Sequence, residues 1–280
     1  MPSPAHGKWR PSGEPAPTAA GSARPSLPST LSDAATCPMR HGHGHGHGGM
    51  IGTCLEPPSA GELLLAVIQR DQSVRDLRRY FGTDPPDGAF PPFTGGRFDV
   101  LAGGGDRPEV QDIITAEDLV AVELLSVRVP APVAVDLLER ELGELVGRQL
   151  ANIPTNVSIG QPEAQALLQP GGPAERAWEL LKAPDDMGWV TAGKLLARKR
   201  PRLVPVYDRV VRCAFGRPTS VWSMLQGMFA EDDQLSDALL AARAQADIPE
   251  AVSPLRVLDV IVWCAHRLHH RSRACPGIIP

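Results

Sequence analysis

No window of the chain approaches the roughly 18 uncharged apolar residues that a membrane-spanning helix needs, so the sequence excludes a helical membrane protein. The opening MPSPAHGKWRPSGEPAP has no apolar core of the kind a secretory signal carries, which excludes that reading. Five cysteines (Cys37, Cys54, Cys213, Cys264, Cys275) are scattered without a C-x-x-C pair, which argues against a zinc ribbon or a thioredoxin-type site. Scattered free thiols fit a reducing compartment, and a cytoplasmic location is expected. Aromatic residues are only 5%. No G-X-Y period exists, which excludes collagen, and neither a Walker loop, a G-x-S-x-G elbow nor an H-E-x-x-H zinc motif occurs. Strand signals are also scarce. VRVPAPVAV alternates, but its two prolines demote it.

The 280 residues include 42% hydrophobic ones, and one residue in five is Pro or Gly. That load is heavy for a compact domain but below the roughly 25–30% of wholesale low complexity. It predicts an ordered domain carrying a disordered piece. Residues 1–49 are Pro-, Gly-, Ala- and His-rich with few branched apolar side chains. Such a segment cannot bury enough surface to offset its ordering entropy, so it is expected to be disordered and dispensable for folding. Its alternating His41, His43, His45 and His47 read as a flexible tract with incidental affinity, binding of a divalent transition metal being the alternative, and Met50 directly after them is a candidate translation start.

Residues 50–280 read as one all-α domain. AGELLLAVIQRDQSVRDLRRYF spaces Leu64, Val67, Ile68, Val74, Leu77 and Phe81 at helical steps, and Gly82 stops the run. In TAEDLVAVELLSV, Thr115 is a good N-cap and Asp118 holds the third helical position of a capping box. Helices are then predicted in APVAVDLLERELGELVGRQLANI, in PAERAWELLKAP with Pro173 in its first turn, and in GWVTAGKLLARKR and DRVVRCAFG. TSVWSMLQGMFA with EDDQLSDALLAARAQA, and SPLRVLDVIVWCAHRLHH, complete the set. TGGRFDVLAGGGDRPE has no phosphate-loop context and reads as a connector, a phosphate nest being the alternative.

The chemistry concentrates in a hairpin-like segment, residues 185–217. From Lys194 to Arg217 there are eight basic residues and one acid, Asp208, in a chain whose net charge is −4. A positive stripe beside a negative body suits a phosphate backbone. The competing reading is a solvated helix end, because ARKR closes a helix before Pro201 and cations favour helix C-termini. Gly188 leads into a helix starting near Trp189, whose free amides would face an anion. Asp208 is placed to cap the following helix and to pair with Arg212 four residues on.

MGWVTAGKLLA followed by VPVYDRVVR resembles the core of the helix-hairpin-helix DNA glycosylase superfamily. Met187-Gly188 match the end of the hairpin, Thr191-Ala192 its T-A pair, and VPVYDRVVR the segment bearing the catalytic aspartate. The resemblance implies a helix-hairpin-helix-like core, duplex DNA as partner, and an acid that stabilises a sugar cation or activates water. Alignment on Val210 and Arg212 puts Tyr207 at the acid position; alignment on the acid itself puts Asp208 there. Asp186 replaces the first hairpin glycine. Val190 stands where lyase members carry lysine, so Schiff-base chemistry is not implied, and the iron–sulfur cysteines of some members are missing. From about Gly61 on, GRFDVLAGGGDRPE, TAEDLVAVELLSV and GWVTAGKLLARKRPRLVPVYDRVVR also resemble an uncharacterised actinobacterial family of unknown function.

His266 and His270 share a helix face and could hold zinc with a third ligand, but the helix C-terminus already favours histidine there. No metal and no cofactor are expected. The leading expectation is a DNA-binding protein without catalytic activity, contacting phosphates through Gly188, Trp189, Thr191, Lys194, Arg198, Lys199, Arg200, Arg209 and Arg212. The rivals are a base-excision glycosylase using Asp208, or Tyr207 in the other register, and a protein-interaction module that binds no nucleic acid.

Overall fold

Helix α1 (Ala60–Ile68) begins where Ser59 and Glu62 form a reciprocal capping box, and it buries Leu64, Val67 and Ile68. The single helix expected from Ala60 to Phe81 is broken after Gln69: Arg70 is extended, and α2 (Asp71–Phe81) starts a new axis. The Ser73 hydroxyl donates to Val67 O across the break and replaces a main-chain bond lost there. Gly82 ends α2 at φ +70, as a left-handed C-cap requires.

In the computed structural model, the described residues are 57–84, 93–231, 233–270 and 275–279. They fall in one compact unit, Leu55–Pro280. The expectation of a disordered segment over residues 1–49 lies outside the described residues. Among the described residues there are twelve α-helices, two short 3-10 turns and no strand, so the all-α expectation holds. No helix among them is long and apolar enough to cross a membrane.

After the 3-10 turns Thr94–Arg97 and Leu101–Gly103, α3 (Ala116–Glu123) opens on the Thr115–Asp118 capping box. The long helix expected next is two. Arg140 is extended and separates α4 (Ala131–Glu139) from α5 (Glu141–Leu150), and Asp136 accepts the Leu142 amide at the corner. Gly143 permits this corner, since a Cβ there would lie 2.2 Å from Leu137 O. Helices α6 (Pro162–Leu168), α7 (Pro173–Lys182), α8 (Trp189–Lys199), α9 (Arg209–Ala214), α10 (Val221–Glu231), α11 (Asp233–Gln245) and α12 (Pro254–His266) follow. Helix α6 was not foreseen; its seven residues are too short for a periodic signal.

Two helices form the centre. Every residue of α12 from Leu255 to Val262 is buried, and α1, α2, α9 and α11 pack around it. Helix α8 lies between α3 and α7 and is buried over most of its surface. A helix buried on all sides is ordinarily apolar all round. Helix α8 is not, and its three cations with Arg200 at its C-cap decide how the basic segment is understood.

Candidate active site

Lys194, Arg198, Lys199 and Arg200 are each 4% exposed or less. The stripe expected to face phosphates is therefore turned inward at these four positions. Arg198 and Lys199 both pair with the fully buried Asp118, the capping residue of α3. Arg198 also donates to the carbonyls of Phe98, Asp99 (2.8 Å) and Leu101 (2.6 Å), and Lys199 to those of Gly105 and Val110, both at 3.1 Å. Arg200 meets Asp112 Oδ1 at 2.6 Å and the carbonyls of Gln111, Ile153 and Leu150. The glycine-rich stretch is thus a connector with an internal task, wrapping its carbonyls around the end of α8. Gly105 allows that approach, because a Cβ would lie 2.6 Å from Arg198 O. A buried cation must be paired and hydrogen-bonded, and Arg198, Lys199 and Arg200 are. All four cations are almost wholly withdrawn from solvent and form no open phosphate-facing stripe, which corrects the expectation for Lys194, Arg198, Lys199 and Arg200. Arg209 and Arg212 are exposed, as are Arg202 and Arg217.

Gly188 is the exposed N-cap residue of α8, with no side-chain cap and nothing within 4 Å of an added Cβ. Thr191 is buried, so it offers no free surface for phosphate. Trp189 and Tyr207 pack with ring centroids 5.6 Å apart. They line one groove of about 700 Å³ together with Trp178, Trp222 and Arg212. The Tyr207 hydroxyl is buried there without a hydrogen-bond partner.

Asp208 turns elsewhere. Its Oδ1 accepts the Val210 and Val211 amides at 2.8 and 2.9 Å, so the capping role is filled. The pairing with Arg212 offered by their spacing is not formed. Asp208 lines a second cavity, of about 310 Å³, that shares no lining residue with the tryptophan groove. Lys194, Arg256 and Asp259 line it too, with Tyr80, Phe93 and Trp263 as aromatic wall. Lys194 is held by a 2.8 Å bond to Leu125 O.

The polar set on α12 was not anticipated. Arg256 pairs with Asp259 and with Asp99 Oδ2 (3.2 Å), and donates to Tyr80 Oη (2.9 Å) and Gly95 O (3.0 Å). Gly95 lets Tyr80 come close, since a Cβ would sit 2.1 Å from its hydroxyl oxygen. A sequence signal for this set existed. Arg256 and Asp259 are one turn apart in the otherwise apolar LRVLDVIVW, and two opposite charges on a buried helix face are retained only as a pair.

Electrostatically the cavity lining sets two carboxyls, Asp208 and Asp259, against Lys194 and Arg256, and Asp99, outside the lining, shares Arg256 with Asp259. Burial pushes the Asp259 carboxyl up to about 7, with Arg256 opposing and Asp208 adding to the rise. Burial also raises Asp99. Burial lowers the Lys194 ammonium, against the pull of Asp208 and Asp259. A carboxyl that titrates near neutrality, beside a second carboxylate and a cavity, is suited to proton transfer.

A family model described as "Family of unknown function (DUF6308)" matches residues 73–266, a span that holds Tyr80, Lys194, Asp208, Arg256 and Asp259. No curated protein and no solved structure matches the chain.

Proposed function

The chain belongs to the DUF6308 family, which carries no known activity, and we propose that it is an enzyme cleaving the bond between a nucleobase and its sugar in the cavity shared by Asp208 and Asp259. The observation that carries the reading is the convergence of these two carboxyls and Lys194 on one cavity with an aromatic wall. Its direction comes from the resemblance of MGWVTAGKLLA and VPVYDRVVR to the helix-hairpin-helix glycosylases, with Asp208 rather than Tyr207 as the acid. The Tyr207 side chain lines the other groove.

The chemistry follows from the charges. As the C1′–N bond lengthens, its electron pair leaves with the base and positive charge grows on the sugar. The Asp259 proton passes to the departing base, while the Asp208 carboxylate stabilises the sugar cation and takes a proton from the water that adds to C1′. Asp208 then returns its proton to solvent and Asp259 is reprotonated from solvent, which closes the cycle. The rings of Tyr80, Phe93 and Trp263 suit a planar base. Nucleic acid would be held by the exposed Arg209 and Arg212, since Arg198, Lys199 and Arg200 are committed to the fold and Lys194 faces the cavity.

The test is a panel of duplexes carrying uracil, alkylated and oxidised bases, incubated with wild type and with Asp208→Asn. Asn caps a helix nearly as well as Asp, so the variant keeps its fold. Abasic product from wild type and none from Asp208→Asn is the expected result. Absence of base release from every substrate by folded wild type defeats the proposal.

A further inference from the structure

The helices whose beginnings border the cavity meet again near their ends. Cys213 lies in the last turn of α9, and His266 is the last residue of α12. Residues 275–279 come back to the same place. The amides of Ile278 and Ile279 both donate to Ala214 O, at 2.7 and 3.0 Å. Gly277 makes the turn at φ +89, where a Cβ would come within 2.8 Å of Cys213 O. This return seats Cys275 with its Sγ 3.5 Å from His266 Nε2. The sulfurs of Cys213 and Cys275 and the Nε2 of His266 all lie within 4.8 Å of one another, and both cysteines are free thiols.

We propose that Cys213, His266 and Cys275 bind a structural Zn²⁺ ion that ties α9, α12 and the returning segment together. Zinc takes sulfur at about 2.3 Å and imidazole nitrogen at about 2.0–2.1 Å in a tetrahedron, which puts adjacent sulfur and nitrogen ligands about 3.5 Å apart. Cys275 and His266 already stand at that separation, and the third ligand needs to close by about an ångström at most. The charge also suits the place. Each thiol releases its proton to solvent on binding, and two thiolates with a neutral imidazole cancel the charge of the ion, so a buried site carries no net charge. Soft sulfur ligands with one imidazole select zinc over the hard cations. Two neighbours fit the same scheme. Arg217 Nη2 donates to Cys213 Sγ at 3.6 Å, an outer hydrogen bond of the sort that fixes a ligating sulfur. His270 lies one turn beyond His266, with ring centroids 6.3 Å apart, and its Nδ1 is buried without a partner. The cluster as it stands holds only Cys213, His266 and Cys275, so His270 would complete the tetrahedron only after its ring turns toward them.

The test uses the full chain, stripped with a chelator under reducing conditions and titrated with Co²⁺ and then Zn²⁺. Cobalt held by thiolates gives a sulfur-to-metal charge-transfer band, which the histidine tract at residues 41–47 contains no thiol to produce. The expected result is one equivalent of Co²⁺ with that band, displaced by Zn²⁺, and a higher melting temperature with zinc than without. A Cys37→Ser/Cys54→Ser/Cys264→Ser variant must retain the band. Because Cys213 is buried in the core of the fold, Cys275→Ser on the returning segment is the deciding variant. It should lose the band and weaken zinc by more than the roughly 10–100-fold that loss of an outer partner costs. A wild type with no thiolate band, a band that survives in Cys275→Ser, or a Cys213–Cys275 disulfide in the protein purified without reductant would each overturn the proposal.

Discussion

Replacing Lys199 with Met keeps the length of the side chain and removes only its charge and donors. If the basic run of α8 were a solvated helix end, the change would be worth no more than about 0.5 kcal/mol, as for surface positions generally. The structure predicts a different scale. Lys199 is fully buried, pairs with Asp118 and donates to the carbonyls of Gly105 and Val110. Removing one member of a buried ion pair costs about 3–5 kcal/mol. Two buried carbonyls also lose their donor, and a buried group left unpaired costs about 1–3 kcal/mol. Arg198 still pairs with Asp118 and limits the loss, so a cost of about 4 kcal/mol is expected by the same reasoning. Against a total stability of about 5–15 kcal/mol, that is a large fraction. At about 2–4 °C per kcal/mol for a domain of this size, the melting temperature should fall by about 8–16 °C. Thermal and urea unfolding followed by circular dichroism measure it, with the exposed Arg209→Met as the comparison. If the Lys199→Met variant melts within about 2 °C of the Arg209→Met one, the internal role assigned to the α8 cations is refuted.

Asp259 gives a pH test. Its carboxyl is raised to about 7 in the folded chain and titrates near 3.9 when unfolded. Over that interval the native state binds more protons, so its contribution to stability is full below about pH 4 and is lost as pH rises through about 7. Wild type should therefore be relatively more stable at pH 5 than at pH 8 compared with Asp259→Asn, and melting curves with no difference in slope between the two would contradict the assignment. Gly95→Ala should destabilise the fold and loosen the cavity, because the new methyl overlaps the Tyr80 hydroxyl that Arg256 holds; unchanged melting would show that Tyr80 moves freely. If nucleic acid is bound, replacing both Arg209 and Arg212 with Ala should reduce the slope of log affinity against log salt by about one to two units. An unaltered slope would move the contacts off α9.

The parts of the fold readable from sequence were those set by neighbours in the chain. Thr115 and Asp118 form the predicted capping box, Gly82 ends α2, Pro173 opens α7, and Asp208 caps α9. The breaks at Arg70 and Arg140 were not readable, because the apolar spacing continues through them and leaves no breaker residue to mark the close contacts across the corner, such as Gly143 against Leu137. The α8 cations were misread for a similar reason. Charge in a helix is normally a sign of solvent, and the acid that pairs with Arg198 and Lys199 lies some 80 positions earlier, at Asp118. Of the cavity, Asp208 and Lys194 had been singled out, but for a phosphate-binding stripe and a hairpin cleft. Arg256 and Asp259 were legible as a buried pair in LRVLDVIVW, but their place beside Lys194 and Asp208 came only with the structure, since nothing local connects α12 to α8.

The partners of Arg198, Lys199 and Arg200 are mostly main-chain carbonyls, drawn from Phe98 to Gln111 and from Leu150 to Ile153. During folding this imposes an order of events. Until both segments have closed, three successive cations have no oxygens to replace water, and α8 cannot enter the centre without stranding them. Closure spans some 50 to 100 residues of chain, a slow, non-local step. Once it is made, opening either segment exposes the whole centre at once. Amide hydrogens of α3, α5 and α8 should then exchange together, through one common opening rather than by separate fraying.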